Sequence, residues 1–180
     1  MYQAYAAIAD RFADLIPAYD KEQLFFIMKE IFENQGREKL FNKFLTSVNC
    51  DNSYLSECID ILRSFVPEKP IEINKYVKSI LLDLIKRNKK IFVLTNGNAD
   101  QQKNKIKHIN WKGLDSYMHF VFAEEIEAKP SPAGVLYILK ISGIEKNNAV
   151  FVGDSETDKV SAVKSGVNYL DINSLLVLDS

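Results

Sequence analysis

Cysteine, histidine, long apolar runs and any excess of charge are all scarce in this chain, and each scarcity closes off a class of protein. Cys50 and Cys58 are the only two cysteines, eight positions apart in a segment of helical pattern. That spacing suits neither a disulfide framework nor a zinc site, so reduced thiols are expected. No apolar run approaches the roughly 20 residues of a membrane-spanning helix, and the N-terminus shows neither the basic start nor the apolar stretch of a secretory leader. The expected location is cytoplasmic. The 23 basic and 24 acidic residues leave a net charge of −1 and form no long blocks, which argues against a nucleic-acid or membrane-surface partner and for a small molecule. His108 and His119 stand eleven apart on different predicted elements, with no serine or cysteine in a nucleophile turn, so a histidine-based hydrolase is not supported and both read as structural.

What is present is a chain of 180 residues, 47% apolar, long enough for one cored domain or one domain with a modest insertion. Up to about Val66 the apolar residues recur at helical spacing. Ala6, Ile8, Phe12 and Leu15–Ile16 are followed by Leu24, Ile27–Met28 and Ile31–Phe32, then by Leu40–Phe41 and Phe44–Leu45, then by Leu55, Ile59 and Leu62. This predicts about four helices, broken at Pro17, at Gly36, at the Asn49–Asn52 turn and at Pro67 to Pro70. The expected organisation is a helical subdomain over 1–68 and an α/β core over 69–180. Aromatic residues in the helical part, Tyr54, Phe25 and Phe26 among them, are expected to pack rather than to contact a ligand.

Beyond the prolines the pattern alternates between helices and short apolar strands, the signature of a parallel sheet flanked by helices. Helices are expected over 74–88, 99–109, 132–141 and 156–165, and strands over 91–94, 119–122, 149–152 and 168–170. Continuous apolar strands imply burial on both faces, and ligands of such sheets bind beyond the carboxyl ends of the strands. Trp111, in a linker-like stretch, is expected to anchor packing.

Three polar segments sit at those ends. Thr95-Asn96-Gly97 offers a hydroxyl and successive backbone amides that can hold phosphate oxygens, with Gly97 allowing close approach; the alternative is an ordinary strand-to-helix turn. Lys129, before Pro130, could balance phosphate charge, although most lysines are solvated and that reading is the commoner one for a lone lysine. Gly153-Asp154-Ser155-Glu156-Thr157-Asp158 follows an apolar strand and opens a helix, placing oxygen ligands where Mg²⁺ could sit; Asp and Ser are also ordinary helix-capping residues.

Thr-Asn-Gly, Lys-Pro and Gly-Asp-x-x-x-Asp, in that order and each after its own core element, resemble the haloacid dehalogenase (HAD) superfamily over roughly residues 74–170. The resemblance implies an α/β fold with a Rossmann-like parallel sheet, a helical cap covering the site, and Mg²⁺-dependent phosphatase chemistry. It implies that Thr95, Asn96 and Gly97 bind the phosphoryl group, that Lys129 neutralises its charge, that Asp154 ligates Mg²⁺ and that Asp158 supports Asp154 or the metal indirectly. The family's first strand, with its nucleophile in Asp-x-Asp-x-Thr, has no counterpart: none of the twelve aspartates lies two positions from another. Lys129 is then the one catalytic residue matched, and Mg²⁺ binding is expected to be weak.

Loss of that strand would leave a gap between the strands ending at Leu94 and Val152. Three ways of meeting it are expected: a gene product that extends upstream of a truncated chain, direct pairing of the flanking strands, or substitution by another segment such as Leu175-Leu176-Val177-Leu178. Two functions remain open. One is a phosphatase of a small phosphorylated metabolite by lineage, inactive or nearly so as this chain stands; the other is a non-catalytic phosphate-binding or regulatory protein. An uncovered sheet edge makes a homodimer a reasonable expectation in either case.

Overall fold

The computed structural model describes residues 2–176, with 175 and 176 as backbone alone. The chain divides into two compact units, Met1–Pro70 and Ile71–Ser180.

The first unit is helical: α1 (Tyr2–Ala13), α2 (Lys21–Gln35), α3 (Leu40–Ser47) and α4 (Leu55–Ser64). Local chemistry sets the ends. Asp20 caps α2 by accepting from Gln23 N at 2.8 Å, while the Gln23 side chain accepts from Asp20 N at 2.9 Å, so two otherwise orphaned amides are satisfied. Gly36, at φ 74°, terminates the helix. The helical periodicity of the apolar residues brings Ile8, Phe12, Leu24, Met28, Phe44, Leu45 and Cys58 into one fully buried cluster. Each of the Ile, Leu, Met and Phe side chains among them contributes about 1.5–3 kcal/mol by leaving water. Phe12 meets Phe44 and Tyr54 edge-on, at 5.9 and 6.0 Å between ring centroids. Phe25 packs against this cluster, while Phe26 is exposed. Cys50 and Cys58 are free thiols, and burial pushes Cys58 up to about 12.

The second unit alternates: β1 (Ile71–Glu72), α5 (Lys75–Lys86), β2 (Ile91–Thr95), α6 (Ala99–Lys107), β3 (Ile109–Asn110), β4 (Met118–Phe122), α7 (Ala133–Ser142), β5 (Val150–Gly153), α8 (Glu156–Ser165), β6 (Asn168–Asp171) and α9 (Ile172–Leu176). It is an α/β fold of parallel strand pairs. β1 pairs with β3, β2 with β4 and β5 with β6, as three two-stranded sheets. The four longer strands and the helices fall where the apolar runs predict them. β1 and β3 do not. Ile109 leaves the helix expected there because His108 ends α6, and the His108 carbonyl instead accepts from Ile71 N at 2.8 Å.

Direct pairing of β2 with β5 does not occur among the described residues, each having a single partner strand. Val177 and Leu178, part of the proposed substitute segment, lie outside the described residues; Leu175 and Leu176 end α9. Trp111 anchors packing as expected, donating to the Ile106 carbonyl at 2.9 Å and meeting Phe120 edge-on. Both histidines have local structural roles: His108 Nδ1 lies 2.7 Å from the Asn104 carbonyl and His119 stacks on Phe92.

Candidate functional site

β2 ends at Thr95, and the chain must turn at once to start α6, which Asn98 caps by accepting from Gln101 N at 3.2 Å. Gly97 makes the turn at φ 96°, a region side-chain-bearing residues rarely enter. Asn96 is fastened by two reciprocal bonds: its Nδ2 donates to the Lys129 carbonyl at 2.9 Å and its Oδ1 accepts from Lys129 N at 2.8 Å. The loop after β2 and the loop carrying Lys129 are thereby one unit.

The lysine side chain runs inward from that anchor. Its Nζ donates to Asp158 Oδ1 at 2.6 Å and to the Leu94 carbonyl at 3.1 Å, and lies 5.8 Å from the centre of the Phe151 ring on β5. Side-chain exposures of 11% for Lys129 and 8% for Asp158 overturn the commoner reading of the lysine as a solvated surface residue. A charge so placed is stable only because it is paired and hydrogen-bonded.

Asp158 also closes a capping box: its Oδ2 accepts from the Ser155 hydroxyl at 2.7 Å and from Ser155 N at 3.3 Å. Burial, the strongest influence on this carboxyl, pushes its pKa up, but the hydrogen bonds from Lys129 and Ser155 and the lysine charge together hold it below the ordinary carboxylate value. Glycine is required at 153 for a local reason. A Cβ there would lie 2.6 Å from Asp158 Cβ, so a larger residue would push α8 off the tip of β5.

Of the residues singled out from the sequence, Asn96, Lys129 and Asp158 are joined by direct bonds, and Thr95 and Gly97 flank Asn96 in the same loop. Asp154 is exposed and makes no ion pair among the described residues. Tyr169, whose hydroxyl donates to the Gly153 carbonyl at 3.0 Å, registers the local field: desolvation and then the charges of Asp171, Asp158, Asp154 and Glu156 raise its pKa.

Two residues that sequence reasoning passes over also hold this loop. Gln102 Oε1 accepts from the Thr95 hydroxyl at 3.1 Å, and Glu124 Oε2 accepts from Ala99 N at 2.6 Å, at the first turn of α6. A carboxylate at a helix N-terminus suits the helix dipole.

The family model for haloacid dehalogenase-like hydrolases matches residues 6–172. The chain belongs to that family. Among curated relatives it is 46% identical over 41 residues to phosphoglycolate phosphatase 1 of Pseudomonas aeruginosa, covering 23% of this chain and 15% of that one. It is 29% identical over 110 residues to human N-acylneuraminate-9-phosphatase, covering 58% and 43%. The matched part thus spans less than half of either relative. Among solved structures, a hydrolase from Streptococcus pneumoniae superposes with a TM-score of 0.54 at 17% identity, over 99% of this chain and 91% of that one. A HAD hydrolase of family IA, variant 3, from Entamoeba histolytica superposes at 0.62 and 14% identity, over 94% and 76%. Both show the fold.

HAD hydrolases typically use Mg²⁺, and the donor set here can be tested for that ion. Among the described residues no three His, Cys, Asp or Glu side chains group together as a metal site. Asp158 has one oxygen on Lys129 and the other on Ser155, which leaves Asp154 as the open carboxylate at the tip of β5. Mg²⁺ accepts one or two carboxylates when substrate phosphate and water supply the remaining oxygens, so the residues fit that ion only where substrate and water complete its coordination. No helix among the described residues is long and apolar enough to cross a membrane.

Proposed function

We propose that this HAD-like hydrolase is a phosphomonoesterase scaffold for a small phosphorylated metabolite, and that residues 1–180 hold the phosphoryl group without completing its hydrolysis. The observation that carries the reading is the bonded set Asn96–Lys129–Asp158, which fixes a largely enclosed ammonium beside a loop of backbone amides. Similarity to two phosphatases supports phosphate esters as the substrate class.

In this reading the Thr95 hydroxyl and the amides of Asn96 and Gly97 receive phosphoryl oxygens, and Lys129 neutralises their charge, drawn partly from Asp158 toward the ligand. Asp158 acts through Lys129, holding it charged and in place. Asp154 offers its carboxylate to Mg²⁺, which when bound would neutralise phosphate charge. Binding of this kind is positioning and electrostatics; covalent phosphoryl transfer also needs a nucleophile, and no aspartate of this sequence occupies an Asp-x-Asp pair.

Two measurements test this. Calorimetric titration of inorganic phosphate in the presence of Mg²⁺ should give saturable binding that Lys129→Ala weakens at least tenfold; absence of binding, or binding unchanged in the variant, overturns the reading. Assay with p-nitrophenyl phosphate and Mg²⁺ should give no turnover. Robust turnover abolished by Asp154→Ala would overturn the non-hydrolytic part and require another nucleophile.

A further inference from the structure

We propose that Gln102 is a positioning residue that sets the direction of the Thr95 hydroxyl proton, and so decides whether the loop can donate to a phosphoryl oxygen; the proposal rests on the reading of Thr95 as a phosphate ligand. The Thr95 hydroxyl points at Gln102 Oε1, 3.1 Å away, with the Asn96 carbonyl as a second acceptor at 3.3 Å. Its single proton is therefore directed at the protein. An unprotonated oxygen of a phosphate dianion can only accept, so a hydroxyl committed in this way presents lone pairs to it and repels it.

Gln102 can relieve this without moving its backbone. Rotating the terminal amide by half a turn exchanges Oε1 for Nε2, so that the amide donates to Thr95 Oγ1 and the hydroxyl proton, held then only by the longer 3.3 Å contact to the Asn96 carbonyl, can turn to the ligand. Space for the amide is preserved by Gly97: a Cβ at that position would lie 3.2 Å from Gln102 Nε2. Glycine at 97 thus serves the φ of 96° and also leaves the amide lying against the loop whose donors it would organise. Gln102 is half-buried on the first turn of α6, and Glu124, accepting from Ala99 N at 2.6 Å, fastens that turn to the segment after β4. The amide therefore turns against a fixed frame.

The test is a double-mutant cycle on phosphate affinity. Inorganic phosphate with Mg²⁺ is titrated calorimetrically into the wild-type chain, Gln102→Met, Thr95→Val and the combined variant, with thermal unfolding followed for each. Methionine keeps the stem and volume and removes the amide. The expected result is a loss of about fivefold in affinity for Gln102→Met, the worth of one neutral hydrogen bond, shrinking to less than about twofold when Thr95 is already valine. A side chain that only braced the loop would lower the melting temperature in both backgrounds and affect affinity equally in both. That outcome overturns the proposal, as does equal affinity in Gln102→Met and wild type. If the wild type itself binds no phosphate, the functional reading falls and this inference falls with it. Should Gln102→Met fail to fold, Gln102→Glu completes the same cycle: its carboxylate keeps the acceptor and cannot donate, so affinity should drop and unaltered affinity overturns the proposal.

Discussion

The two units of this chain bury their apolar residues to different extents. The helical unit closes on itself, with Ile8, Phe12, Leu24, Met28, Phe44 and Leu45 all removed from water. The α/β unit closes only in part: Ile91, Leu114 and Met118 are buried together, but Val150 and Val152, alternate residues on one face of β5, are 59% and 45% exposed, and among the described residues its strands pair two by two, with one partner each for β2 and β5. Near the strand tips it is tied by polar contacts, the Lys129–Asp158 pair with its bonds to Leu94 and Ser155. Helices can complete a core from local periodicity; strands need neighbours, and where pairing stops their apolar faces and edge amides stay open.

The sharpest way to break this contrast is to cut into the helical core. Phe44→Ala should cost about 3–5 kcal/mol by denaturant unfolding, since the site is fully buried and edge-packed on Phe12. A loss near 1 kcal/mol would mean that the helical unit is as loosely closed as its partner.

Next in size is the polar tie. Lys129→Met leaves the Asp158 carboxylate buried without its cation and should destabilise by about 3 kcal/mol, most of it recovered when Asp158→Asn is added. An additive double variant would show that the two residues stabilise independently.

The same pair predicts a pH dependence. Because the folded state holds the Asp158 pKa below its ordinary value, the unfolded chain takes up the proton first, and the stabilising contribution is present above about pH 4. It is lost as pH falls through the lower folded-state value. Comparing pH 6 with pH 3, the wild type should lose more stability than the Lys129→Met, Asp158→Asn double variant; equal losses would count against the pair.

The smallest effect is expected on the open face. Val152→Ser should change stability by no more than about 0.5 kcal/mol, as for surface sites generally. A cost comparable to that of Phe44→Ala would show that something covers β5 in solution.

Elements with a strong local signal are legible in the sequence itself. The helix over 156–165 has its capping Ser155, acidic first turn and closing glycine written there, and the apolar runs 91–94 and 149–152 mark β2 and β5 to within a residue. β1 and β3 are not legible, because a two-residue strand has no periodicity and exists only through pairing between Ile71 and Ile109. At the candidate site, Thr-Asn-Gly, Lys-Pro and Gly-Asp can be read as motifs, but a lone lysine looks solvated until the fold carries it to a carboxylate 29 positions later. Gln102 is invisible for a similar reason. A polar residue inside a short, polar helix reads as surface, and its bond to Thr95 depends on how the turn at Gly97 brings the helix back over the strand end.

The central claim, that the loop after β2 and Lys129 form one phosphate cradle, is tested most directly by following backbone amide resonances while inorganic phosphate and Mg²⁺ are added. The account predicts that the amides of Thr95, Asn96, Gly97 and Lys129 shift together along one saturation curve, and that Lys129→Ala flattens it. Shifts that leave these four still, or that follow unrelated curves elsewhere in the chain, would contradict it.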